Sequence, residues 1–153
     1  LLKKRYRSMI RFKSYILLTG LFLMVALACK KDSRPYFPNV SFEQYVYLSN
    51  PSSFPLTAPG GSIYTDGGYR GLIIYRRTGG ITAHDFAAFD RGCPEHYEED
   101  CGYLDVSEDG LYAQCRCEGE LYLLMDGSPA GEASIPLRNY PISINSNVLR
   151  ISN

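Results

Sequence analysis

The chain has 153 residues, and 16 acidic side chains cancel its 16 basic ones. Such a length bounds it to about one domain, and the lack of a net field excludes nucleic acid as a partner, since the basic residues gather at the N-terminus. Thirteen tyrosines, no tryptophan, 14 glycines and 9 prolines point to short strands and frequent turns.

Lys3, Lys4, Arg5, Arg7, Arg11 and Lys13 precede an apolar run from Ile16 to Ala28. A basic stretch followed by a short apolar one has the form of an export signal. The run is shorter than the roughly 20 apolar residues that span a bilayer, so a cleaved signal over 1–28 is expected rather than a permanent transmembrane anchor. The first residue is Leu1, and a start at Met9 gives a signal of more usual length. Val25-Ala26-Leu27-Ala28-Cys29 resembles the lipobox of bacterial lipoproteins, whose cysteine becomes the lipidated first residue. That resemblance implies lipidation of Cys29, a membrane as partner through several acyl chains, and a place in the cell envelope on the periplasmic or cell-surface side. Lys30-Lys31-Asp32-Ser33 reads as polar tether, and charges directly after the cysteine also resemble the surface-export tags of some Gram-negative lipoproteins. The expected organisation is signal 1–28, lipidated cysteine and tether 29–39, and domain 40–153.

Residues 40–48 are rich in β-branched and aromatic side chains and predict a first strand, broken by Asn50-Pro51-Ser52-Ser53. Pro55, Pro59, Gly60 and Gly61 predict a loop before Ser62-Ile63-Tyr64. Asp66-Gly67-Gly68 then turns the chain into 69–77, which completes a hairpin. Gly79-Gly80 reverses it into 81–90, a strand buried on at least one face. Further strands are predicted over 102–106, 111–114, 121–124 and 148–151, with turns at Glu108-Asp109-Gly110 and Asp126-Gly127-Ser128. No stretch after Cys29 has a helical period, and an antiparallel meander is the economical topology. Tyr45, Tyr47 and Tyr69 either form an exposed face or alternate into the core.

The chemistry-bearing residues lie between Phe89 and Tyr140. Phe89-Asp90-Arg91-Gly92-Cys93-Pro94-Glu95-His96 precedes Cys101, Cys115-Arg116-Cys117-Glu118-Gly119 follows, and Asp126-Gly127-Ser128-Pro129-Ala130 leads to Pro136-Leu137. This resembles the Rieske family, whose ligand loops read Cys-x-His and Cys-x-x-His-Gly-Ser-x-Phe ahead of a Gly-Pro-Ala…Pro-Leu segment. The resemblance implies an all-β, antiparallel Rieske-like sandwich or barrel with an inserted subdomain of the cluster-binding type. It puts Cys93 and Cys115 at the thiolate ligand positions, and Cys101 and Cys117 at the pair that bridges the two loops in some members. Glu95 and Glu118 stand where the two ligand histidines belong. Neutral imidazoles hold one iron of a Rieske center and raise its potential, whereas carboxylates are harder and anionic, lower the potential and leave the iron open to hydrolysis. No conventional cluster is therefore expected; the alternative is a 2Fe–2S center of nonstandard ligation by Cys93, His96, Cys115 and Glu118. His96 reads as a solvent-facing loop residue, and His84 falls in the predicted strand before it.

An exported domain meets an oxidising compartment, so the four cysteines are expected in disulfides, with three pairings formally possible. A Cys115–Cys117 bridge closes a very small ring, which favours bridges between the loops. Following the resemblance, Cys101 pairs with Cys117, and Cys93 and Cys115 are left facing each other to form a second bridge. The Cys-x-Cys spacing and the compartment both disfavour structural zinc. Glu95, Glu98, Glu99 and Asp100 lack the glycine-punctuated spacing of a calcium loop and read as a solvated loop. Glu118 and Glu120 share a face if they lie on a strand, with no evident substrate pocket, and there is no nucleophile elbow or phosphate loop. The expected role is a non-enzymatic structural or interaction module with a partner in the envelope; the alternative is an electron carrier.

Overall fold

The computed structural model describes residues 37–153. The signal over 1–28, the lipidation residue Cys29 and the tether over 30–33 lie outside the described residues. Ten strands follow in order: β1 (Glu43–Tyr47), β2 (Ser62–Thr65), β3 (Leu72–Arg76), β4 (Phe86–Asp90), β5 (Leu104–Val106), β6 (Tyr112–Cys115), β7 (Leu121–Leu123), β8 (Pro129–Ala130), β9 (Ile142–Asn145) and β10 (Val148–Ser152). Every pairing is antiparallel. No helix among the described residues is long and apolar enough to cross a membrane.

The strands form three sheets, and two of them, β2-β3-β4 and β5-β6-β7-β8, are meanders. The third has the order β1-β10-β9, so the expected simple meander gives way to a closure in which the first strand pairs with the last. Ser146 and Asn147 at the β9–β10 turn both have positive φ, the backbone of a tight two-residue hairpin. The Phe37 ring meets Tyr69 and Tyr97 at centroid distances of 5.6 and 5.3 Å.

Strands β3 and β4 are buried along their whole length, which is why both read as nearly continuous apolar runs. Their alternate residues serve two cores. Ile73, Tyr75, Ala87 and Phe89 pack with Leu104, Ala113, Tyr122, Leu124, Cys93 and Cys115 of the β5–β8 region. Leu72, Ile74, Phe86 and Ala88 pack with Val46, Leu149 and Ile151 of the terminal sheet. Val46 is inward while its neighbours Tyr45 and Tyr47 are exposed, so these two tyrosines lie on an outer face. Tyr69 is half-buried among the aromatic rings.

Several boundaries depart from the sequence reading for identifiable reasons. Residues 69–71 do not join β3, because the Tyr69 and Arg70 amides donate to the Asp90 carboxylate rather than to a neighbouring strand. Residues 81–85 are not strand either. Asp85 accepts from the Thr82 amide and hydroxyl at 2.7 and 2.6 Å and caps a single 3₁₀ turn, Ala83–Asp85, on which His84 is exposed. The proline-rich stretch Pro51–Thr57 forms a second 3₁₀ segment that buries Ser53 and Leu56.

Asp90, fully buried at the end of β4, joins three segments. Its carboxylate accepts from the amides of Tyr69 (2.6 Å), Arg70 (3.2 Å) and Gly92 (2.7 Å) and from the Tyr140 hydroxyl (2.8 Å). Gly68, at φ +62°, makes the approach possible, since a Cβ there would meet Asp90 Oδ2 at 2.4 Å. Asp90→Ala leaves four donors without this acceptor, each loss costing about 1–3 kcal/mol. Urea denaturation is expected to show a loss of at least about 3 kcal/mol for Asp90→Ala and a smaller one for Tyr140→Phe. Equal stability of Asp90→Ala and the parent chain contradicts the assignment.

Candidate functional site

The two cysteine loops leave the ends of β4 and β6. Gly92, held by Asp90, delivers Cys93, whose amide donates to the Gly102 carbonyl at 3.0 Å. The intervening loop is wound by bonds from the Glu99 amide to the His96 carbonyl (3.0 Å) and from the Gly102 amide to the Glu99 carbonyl (2.9 Å). A Cβ at Gly102 would lie 1.9 Å from the His96 carbonyl oxygen, so only glycine closes this loop. The second loop is a tight turn in which the Cys115 amide donates to the Glu120 carbonyl and the Gly119 amide to the Cys115 carbonyl.

These turns bring four cysteines together in pairs at disulfide geometry. Cys93 faces Cys115 with Cα atoms 5.7 Å apart, and Cys101 faces Cys117 at 5.2 Å. The first pair is buried in the core, and the second is half-buried. The Tyr122 hydroxyl lies 3.8 Å from Cys93 Sγ. Burial, with Glu95 and Glu120 nearby, pushes the Tyr122 phenol well above its ordinary range and keeps it protonated.

Glu95 and Glu118, expected from the resemblance at the imidazole positions, have different surroundings. Glu95 Oε1 accepts from the Ser134 amide (2.6 Å), the Ser134 hydroxyl (2.8 Å) and the Ile135 amide (3.2 Å), tying the first loop to the segment before β9. Burial opposes ionisation of Glu95, but these three bonds outweigh it and hold the carboxyl below its usual range. Glu118 sits in the turn with its side chain 75% exposed. The carboxylate that stands with both buried thiols is Glu120: Cys93, Cys115 and Glu120 offer ligand atoms within 4.8 Å of one another.

Glu120 was expected to share a strand face with Glu118 and no pocket. Instead both precede β7, Glu120 is buried, and they line a cleft of about 390 Å³ together with Glu95, Gly131 and Glu132. His96 likewise departs from the expectation of a solvent-facing residue, its side chain being 14% exposed. Its Nδ1 lies 2.8 Å from Glu99 Oε1 and its Nε2 2.7 Å from Glu120 Oε1. The Glu99 bond raises the His96 pKa, burial opposes it, and Glu120 adds to the rise. The acidic loop over 95–100 is therefore only partly solvated: Glu98 and Asp100 are exposed, whereas Glu95 and Glu99 hold defined partners.

Asp105 on β5, which the sequence reading did not single out, ties both cysteine loops to one strand. Its carboxylate accepts from Arg116, between Cys115 and Cys117, at 2.6 and 2.8 Å, and from Arg91 at 2.7 Å. The sequence signal was one arginine just before each loop's buried cysteine or within its Cys-x-Cys, with an acidic residue on the intervening strand. The Arg116 bond, against some burial and with help from Arg91, lowers the Asp105 carboxyl to about 2.

No protein-family model matches the chain, and no curated protein matches it. Solved structures of similar shape include the cyanobacterial plasma membrane Rieske protein of Synechocystis PCC 6803, at 11% identity and a TM-score of 0.49 over 75% of this chain and 100% of that one. The ferredoxin of carbazole 1,9a-dioxygenase from Nocardioides aromaticivorans IC177 is similar at 12% identity and a TM-score of 0.46, over 74% of this chain and 97% of that one. A chain of a hyperthermophilic respiratory complex III is similar at 18% identity and a TM-score of 0.49, over 92% and 97%.

The Asp105 pairing has a definite acid signature. Its folded pKa lies below the unfolded value, so its contribution is present above about pH 4 and is lost as pH falls through about 2. Unfolding midpoints measured between about pH 5 and about pH 2 are expected to fall less steeply in Asp105→Asn than in the parent. Parallel profiles contradict the pairing.

Proposed function

We propose that this chain is a lipid-anchored, Rieske-like module of the cell envelope in which the cluster site has become a covalent clasp, and that it serves as a structural or interaction domain. The observation that carries the reading is the surroundings of the buried Cys93–Cys115 pair, whose third donor is the Glu120 carboxylate and not an imidazole. A Rieske-type center needs two thiolates on one iron and two neutral imidazoles on the other. Here Glu95 and Glu118 are carboxylates, and His96 is a single imidazole where two are needed. The residues present do not fit a conventional 2Fe–2S cluster. They do fit two disulfides: both pairs have the required Cα separations, and an exported domain meets oxidising conditions.

The anchoring part of the reading rests on the basic stretch, the apolar run to Ala28 and Cys29. Among the described residues, the exposed Tyr45 and Tyr47 on the outer face of β1 support a surface for a protein partner.

Two experiments test the reading. Protein purified without reductant is expected to be colourless, without stoichiometric iron or acid-labile sulfide and without free thiols at the four domain cysteines. A coloured protein with stoichiometric iron and sulfide supports instead an electron carrier of nonstandard ligation. For the anchor, Cys29→Ser is expected to abolish fatty-acid labelling and shift the protein from the detergent to the aqueous phase; unchanged labelling and partition contradict lipidation at Cys29.

A further inference from the structure

We infer that Glu95, His96 and Glu120 form a mononuclear site for a divalent transition-metal ion of the zinc class, beside the cysteine pair and without sulfur ligands. One ligand atom from each of these residues already lies within 4.8 Å of the other two. An ion about 2.1 Å from each donor in a tetrahedral arrangement needs them roughly 3.4 Å apart, so no pair has to close by more than about 1.4 Å, and His96 Nε2 and Glu120 Oε1, now 2.7 Å apart, have to open by about 0.7 Å.

Three independent features point to a cation. The first is an orphan: Glu120 has a side chain only 7% exposed, and while its Oε1 faces His96 Nε2, its Oε2 is buried without a hydrogen-bond partner among the described residues. A buried carboxylate oxygen in that state is costly unless a positive charge or a donor satisfies it. The second is the cleft that Glu120 lines, of about 390 Å³, whose lining includes Glu95, Glu118 and Glu132 and no lysine or arginine. The third is the orientation of the imidazole. Glu99 holds His96 Nδ1 at 2.8 Å, the carboxylate–histidine arrangement that fixes the ring and leaves Nε2 to a metal. Nε2 already points at Glu120 Oε1, 2.7 Å away, with Glu118 Oε2 at 3.9 Å.

The donor chemistry selects the ion. One imidazole and two carboxylates suit zinc-class ions, whereas calcium takes six to eight oxygens. Glu95 and Glu120 line the open cleft, and three protein ligands leave a fourth position to water. With Glu95 as a ligand, the site links the first cysteine loop, which Glu95 Oε1 ties to the Ser134–Ile135 segment, to the turn before β7. The inference shares with the proposed function only the assignment of Cys93 and Cys115 to a bond with each other.

The full chain, purified in detergent without reductant and stripped with a chelator, is to be titrated with zinc chloride and separately with calcium chloride by calorimetry. About one zinc per chain and no calcium uptake are expected, with zinc affinity reduced at least tenfold in Glu120→Gln and in His96→Asn, and about tenfold in Glu99→Gln. Zinc-edge absorption is expected to show nitrogen and oxygen neighbours near 2.0–2.1 Å and no sulfur near 2.3 Å, a readout that does not depend on any variant folding. Absence of zinc uptake, uptake undiminished in folded Glu120→Gln and His96→Asn, or a sulfur shell overturns the inference. Failure of the clasp reading shows separately, as free thiols or as iron with sulfide in the protein as isolated.

Discussion

The buried contact between Cys93 and Cys115 fixes the rest of this domain. It lies where the exit of β4 meets the end of β6, within the core shared by Ile73, Phe89, Leu104, Ala113 and Tyr122. A bond there closes a loop with a sequence separation of 22 residues, and the outer pair closes one of 16. Loops of that size are each stabilised by about 3 kcal/mol through loss of freedom in the unfolded chain. Two carboxylates make the contact geometrically possible: Asp90 holds Gly92 at the start of the first loop, and Asp105 clamps Arg91 and Arg116 on either side.

The three carboxylates around the cysteine loops do different things. A glutamate at the first position finds backbone donors in the Ser134–Ile135 segment and becomes a structural acceptor. At the second position the side chain goes to solvent. The acid that enters the site is a third one, Glu120, brought in by the turn before β7 and met by His96 from the other loop. Oxygens of Glu95 and Glu120 and the His96 imidazole are thereby grouped next to the cysteine pair.

Much of the fold was legible because its signals are local. The apolar runs of β3 and β4, the glycine turns and the alternation in β1 all survive in the structure. Strand β9 was also legible, in the alternating Ile142-Ser143-Ile144-Asn145 and the Asn-rich turn after it, but the sequence reading passed over it. What was not legible depends on long-range partners: the β1–β10 closure, the diversion of residues 69–71 to Asp90, and the capped turn that takes 83–85 out of a strand. In the site, cysteine spacing carried the identity of the four residues, and the observed proximity of Cys93 to Cys115 and Cys101 to Cys117 agrees with the pairing that the Rieske resemblance implies. Glu120 reads in the sequence only as a strand-face companion of Glu118, because its burial arises from a turn, which no periodicity in the sequence encodes.

The most direct test is peptide mapping of the nonreduced protein by mass spectrometry. Trypsin separates Cys115 from Cys117 at Arg116, and a protease specific for acidic residues separates Cys93, Cys101 and Cys115. A fragment linking Cys93 to Cys115 and another linking Cys101 to Cys117 are the predicted result. Recovery of Cys93 and Cys115 as free, alkylatable thiols contradicts the covalent clasp.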